Sequence, residues 1–213
     1  MRLAYCIATV FAVATPATLA RAETPRECAA IPRPSAGETR PFAKSGPYAA
    51  GLKALVPGRE ARASRDLAAA WGRVRAELSK AFASGECKET VIQKALDRRV
   101  FVNPPHAVAG EDRYLPPRPV ALAVAAGLCA SGDPDGAAIW LMDTTGAEDA
   151  PARASAAILW AAAGRLDAAR ALLPPNAKGP HWEAARRAIE FRSSQAADET
   201  QSPQLAKPRR SIQ

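Results

Sequence analysis

Histidine is scarce in this chain: His106 sits in a proline-rich loop, His181 stands at a helix start, and there is no third. Neither belongs to a ligand-spaced or nucleophile-plus-base motif, so histidine-dependent catalysis and His-based metal binding have little to build on. The cysteines form no C-x-x-C pair, which disfavours thioredoxin-like exchange and structural zinc. A G-x-S-x-G elbow, a phosphate-binding loop and a G-x-G-x-x-G turn are also missing. Aromatic residues are few, and Trp71, Trp140, Trp160 and Trp182 fall on apolar helical faces, where core packing is their ordinary role. No catalytic, cofactor-binding or metal-binding residue is assigned on these grounds.

No acidic residue precedes Glu23. Met1-Arg2 supplies a short positive region and Leu3 to Leu19 an uncharged apolar run, followed by Ala20-Arg21-Ala22, with small residues where a signal peptidase reads them. Residues 1–22 are therefore expected to be a cleaved signal peptide, and the chain to be exported, periplasmic or secreted. The run falls short of the roughly 20 apolar residues of a spanning helix, so no stable membrane span is expected after cleavage. Cys6 comes too early for lipidation, and Cys28 follows Arg26 and Glu27 instead of small residues.

Loss of Arg2 and Arg21 takes the 29 basic side chains to 27 against 21 acidic ones, a net charge of about +6. For an exported chain that charge points away from nucleic acid. It suits lipid headgroups, envelope polymers or acidic proteins, or simply a solvated basic surface. Cys6 leaves with the leader, so Cys28, Cys87 and Cys129 provide one disulfide and one thiol. Cys87 and Cys129 both lie at expected helix ends, which makes Cys87–Cys129 the expected pair. The alternative is that Cys28 staples the N-terminal arm onto the core.

Residues 23–63 are broken by Pro25, Pro32, Pro34, Pro41, Pro47 and Pro57 and read as an extended arm, with one short helical stretch drawn from Tyr48, Leu52, Leu55 and Val56. A helical domain is expected over 64–192. Ser64 is its N-cap candidate, and Leu67, Trp71, Val74, Leu78 and Phe82 follow at steps of three or four. A second helix is expected from about Thr90 to Val102, ended by Asn103-Pro104-Pro105. A loop then leads to an uncharged helix from Pro119 to Ala130, apolar all round and so central. Asp133 caps the next helix with Pro134 at its first position, and a further hairpin runs from Pro151 to Leu173. Pro180 to Arg192 reads as a capping helix, and 193–213 as a disordered tail ending in the basic Lys207-Pro208-Arg209-Arg210.

The two later hairpins align at an offset of 32 residues. Gly132 matches Gly164, Asp135 matches Asp167, Ala137 matches Ala169, Leu128 matches Trp160 and Leu141 matches Leu173. Glycine permits the tight turn, alanine lets the helices approach, and the large residues fill the seam. The segment Ile158 to Leu173, with its aromatic, turn glycine and small residue in order, resembles the centre of a tetratricopeptide repeat. The likeness covers 119–192, and Pro134 and Pro174-Pro175 depart from the family pattern. The hairpin around Gly85, with Ala81, Thr90 and Lys94 at the corresponding places, departs further.

The resemblance implies an all-α array of stacked antiparallel hairpins, with hairpins at 119–173. It also implies a non-catalytic interaction module for a protein or peptide partner of the cell envelope, its groove made basic by Arg153, Arg165 and Arg170. Two rivals stand beside it. One is a small envelope hydrolase using a carboxylate pair drawn from Glu77, Glu86, Glu89, Glu111 and Asp112. The other is a structural protein held to anionic envelope polymer by its charge.

Overall fold

The computed structural model describes residues 26–101 and 114–201. The leader with Cys6, the loop carrying His106, Glu111 and Asp112, and the basic end from Lys207 lie outside that range. The described chain is all-helical, without strands: a 3-10 turn Arg26–Ala30, then α1 Ala36–Lys44, α2 Ala49–Lys53, α3 Glu60–Ala83 and α4 Lys88–Asp97. After the loop come α5 Arg118–Ala130, α6 Pro134–Thr144, α7 Ala150–Ala162, α8 Leu166–Ala171 and α9 Pro180–Gln201. No helix among the described residues is long and apolar enough to cross a membrane.

Three expectations need correction. The proline-rich arm is not simply extended, because Ser35 and Glu38 form a capping box: the Glu38 amide donates to Ser35 Oγ (3.2 Å) and the Ser35 amide to Glu38 Oε2 (2.8 Å). That reciprocal satisfaction of end groups starts α1 despite Pro41 within it. Ser64 is not an N-cap, since α3 begins a turn earlier; the side chain is buried and its hydroxyl donates to the Val124 carbonyl at 2.9 Å. Finally, helix α9 continues past Ser193 to Gln201, where a disordered tail is expected. The Ser193 hydroxyl turns back onto the Ile189 carbonyl (2.8 Å), so it does not break the helix.

The helices pack in sequence: α3 on α5, α5 on α6, α6 on α7, and α7 on α8 and α9. Helix α5 is central, as its uncharged sequence requires, with every residue from Pro119 to Ala125 buried. Its contact with α3 is close because residue 127 is glycine. A Cβ built there would lie 2.6 Å from the Glu60 carbonyl oxygen and nearer still to Ser64 Cβ. On its other side, Trp140 of α6 donates its indole N–H to the Ala121 carbonyl at 3.0 Å. One apolar cluster joins α2 to α5 through Leu52, Leu67, Trp71, Val91 and Val120. A second joins α5, α6, α7 and α9 through Leu122, Leu141, Leu159 and Trp182.

The two aligned glycines occupy equivalent bends. Gly132 has φ +86 and Gly164 φ +79. In the first bend Gly132 N donates to Cys129 O and Asp133 N to Leu128 O; 32 residues later Gly164 N donates to Ala161 O and Arg165 N to Trp160 O. The same pair of bonds closes α3 at Gly85, where Gly85 N donates to Phe82 O and Glu86 N to Ala81 O. Each is a helix stop with one left-handed residue satisfying the terminal carbonyls.

Candidate functional site

The first candidate site is the face shared by α5, α7 and α9. The protein's own arm lies across it. Cys28 in the 3-10 turn is disulfide-bonded to Cys129 at the end of α5. From α7, Ser155 Oγ donates to the Ala30 carbonyl at 2.6 Å, and from α9 the Arg192 guanidinium donates to Glu27 at 2.9 Å. Ile31 then enters the core formed by Leu122, Ala125 and Ala154. Further along, Arg118 at the start of α5 bridges Glu38 of α1 (2.8 Å) and Asp149, the N-cap of α7 (2.6 Å). The Asp149 bond and that anionic setting raise the Arg118 pKa, while the Ser35 bonds, backbone first, lower that of Glu38. A small recess of about 190 Å³ lies between α7 and α9, lined by Ala30, Ser155, Ile158 and His181 among others.

Two site expectations fail here. The disulfide is Cys28–Cys129 and not Cys87–Cys129: Cys87 precedes α4, on a different hairpin, and is an exposed free thiol whose Sγ donates to Glu89 at 2.7 Å. That bond lowers the Glu89 pKa. Nor do the three arginines line one groove. Arg165 pairs with Asp135 at 2.8 Å, fastening one hairpin bend to the helix start of the preceding unit, and Arg170 is held by Asp167 (3.1 Å) and Ser193 (2.8 Å). Arg153 stays half-buried on α7, and neither cavity is lined by any of the three.

The larger cavity, about 360 Å³, opens between α3 and α4. Its floor is apolar: Ala70, Val74 and Leu78 from α3, Val91 and Ala95 from α4, and Val100. Small residues at 70, 81 and 95 hold the space open. The rim is charged, with Arg73, Glu77, Glu86, Lys94 and Arg98. Arg98 Nη1 donates to Glu77 Oε2 at 2.9 Å, both side chains about two-thirds exposed, and Lys94 pairs with Glu86. The helix spacing of Val74, Leu78, Val91 and Ala95 marks two apolar faces, and these meet closely enough to leave the four residues only 2–8% exposed.

No family model, curated protein or solved structure matches this chain. The site is therefore read from its own chemistry. Two of the candidate carboxylates, Glu77 and Glu86, do share the groove, while Glu89 stands apart. Each groove carboxylate is committed to a cation. A glycosidase general acid instead needs an apolar pocket that keeps its proton on. No serine, cysteine or histidine lines the groove. Among the described residues no three His, Cys, Asp or Glu side chains are placed to hold a metal ion. What the groove offers is a charged rim over an apolar base that is 2–8% exposed.

Proposed function

We propose that this protein is an exported, non-catalytic interaction module of the cell envelope, a tetratricopeptide-like stack of helical hairpins whose binding surface is the α3–α4 groove. The observation that carries the reading is the contrast between its two concave faces. The α5–α7–α9 face, where such a stack would ordinarily receive a peptide, is closed by the chain's own disulfide-tethered arm. The α3–α4 groove has a charged rim over an apolar base that is 2–8% exposed, and no serine, cysteine or histidine lines it. A disulfide between Cys28 and Cys129 suits an oxidising compartment, in keeping with the leader-like pattern of residues 1–22.

Photo-cross-linking in intact cells tests this. A photoreactive residue at Lys94 should capture one identifiable, saturable envelope protein, and the same group at Arg165 should capture none. Absence of a saturable partner at both positions would sink the reading. Conversion of an envelope polymer by the purified protein, abolished by Glu77→Gln with Glu86→Gln, would establish the hydrolase in its place. Export has its own readout: the envelope-derived protein should begin at Glu23.

A further inference from the structure

The chain passes from α2 into α3 through Leu55-Val56-Pro57-Gly58, a corner fixed by backbone bonds. The Arg59 amide donates to the Val56 carbonyl at 3.0 Å, with Pro57 and Gly58 between them and Gly58 at φ +83, the arrangement of a type II turn. Leu55 packs against the core, whereas Val56 points away from it and is 43% exposed, one of three large apolar side chains left so open among the described residues. The cations that flank this tip in the chain are unpaired. Lys53, Arg59, Arg62 and Arg65 are all exposed, and none takes part in an ion pair among the described residues. The one acidic residue in that stretch is the half-buried Glu60.

We propose that this corner docks the protein on an anionic phospholipid bilayer. Val56 and Pro57 enter the headgroup region, and Lys53, Arg59, Arg62 and Arg65 meet the lipid phosphates. The exposed apolar tip decides between anionic occupants. A soluble phosphate or an anionic polysaccharide would use the cations but offers Val56 no apolar phase. An acidic protein would pair with the arginines, but one protruding valine gives it no anchor of the kind that carries protein interfaces, where buried tryptophan, tyrosine and arginine dominate. A bilayer uses both features at once, because its interface takes up apolar side chains and its negative surface attracts basic ones. None of these residues lines the α3–α4 groove. The proposal therefore stands independently of the interaction-module reading, and adds to it a location and an orientation at the envelope.

The experiment is co-sedimentation of the full mature protein with vesicles of phosphatidylcholine, alone or with phosphatidylglycerol added, near physiological ionic strength. Binding is expected only where phosphatidylglycerol is present. Arg62→Gln should weaken partitioning about fivefold, and Arg59→Gln combined with Arg62→Gln about 25-fold. Val56→Ser should weaken it several-fold and Val56→Trp strengthen it. Arg187→Gln, an exposed cation on α9, should change it little. All of these side chains are exposed, and unchanged thermal melts show that the fold is kept. Failure to bind the anionic vesicles, or an equal loss from Arg187→Gln, would overturn the proposal. Indifference to Val56→Ser would reduce the contact to charge alone and overturn the corner as a docking element. Binding to soluble polyglutamate as tight as to the vesicles, or capture of a protein in place of lipid by a photoreactive residue at Val56 in intact cells, would overturn the bilayer as occupant. Each of these results leaves the module reading standing, since its own test is read at Lys94 and Arg165.

Discussion

Two glycines inside helices show how far a single Cβ decides the packing. At Gly127 an added methyl meets the Glu60 carbonyl and Ser64 Cβ across the α3–α5 seam, whereas at Gly72 nothing lies within 4 Å. Overpacking costs typically about 1 to 3 kcal/mol. Because one of the obstructing atoms is backbone, Gly127→Ala should reach the upper end of that range. Gly72→Ala should instead stabilise by roughly 0.5 to 1 kcal/mol, through helix propensity and a less flexible unfolded chain. Urea unfolding should show the two midpoints moving in opposite directions. Tyr48 makes a complementary case: it is 1% exposed, its hydroxyl has no partner among the described residues, and burial pushes its pKa up. Tyr48→Phe removes an orphaned polar group and keeps the ring, so the midpoint should stay or rise; a fall of about 1 kcal/mol or more would mean that the hydroxyl is satisfied. Much at this scale was legible beforehand. Gly132, Gly164 and the Asp133 cap announce themselves by spacing and neighbours, because they satisfy local backbone demands. Cys129 was legible as a disulfide residue, but its partner was not, since pairing is settled by where separate elements meet.

At the scale of elements, helices whose apolar residues recur regularly were foreseen, and those held by distant contacts were not. The period of α3 and the all-round apolarity of α5 can be read directly, as can the repeat joining α5–α6 to α7–α8. Helix α1 escaped because proline counts dominate residues 23–63, although Ser35-x-x-Glu38 is a capping signature. The arm's course is tertiary: it depends on Ser155, Arg192 and Cys129, which lie 125, 165 and 101 residues from their partners in the chain. The disulfide closes a sequence separation of 101 residues, for which the chain-entropy account gives about 4 to 5 kcal/mol. Cys28→Ser should therefore lower stability by up to that amount, and limited proteolysis should begin within residues 26–34; an unchanged urea midpoint would make the tether incidental. Acid should loosen the arm's other anchor. Glu38 has a folded pKa below its ordinary value, first through the Ser35 backbone bond and then through the Ser35 hydroxyl. Its contribution is thus present above the unfolded value of about 4.3 and disappears as pH falls through the depressed folded value. Thermal melts of wild type and Glu38→Gln should differ near neutral pH and converge in acid.

For the whole molecule, the net charge hides a polarity: residues 36–101, which form α1 to α4, carry 13 basic and 7 acidic side chains, whereas residues 114–201 carry 8 and 10. Net charge alone predicts uniform attraction to an anionic surface. The observed distribution predicts an oriented one, led by the end that carries α3, where Arg62, Arg65 and Arg75 are exposed and do not line the groove. Arg153, Arg170 and Arg187 belong to the other half, which is slightly acidic. Neutralising either set to glutamine removes the same formal charge, so a protein that behaved as a uniform cation would elute from a cation-exchange column at the same reduced salt in both cases. With screening over about 8 Å at physiological ionic strength, a bound surface senses mainly the charges that face it. The α3 triple variant should therefore elute at clearly lower salt than the Arg153, Arg170 and Arg187 variant. Equal shifts would mean that the asymmetry has no consequence at the surface. The cations around the groove would then have to act by direct contact with a partner and not by steering it there.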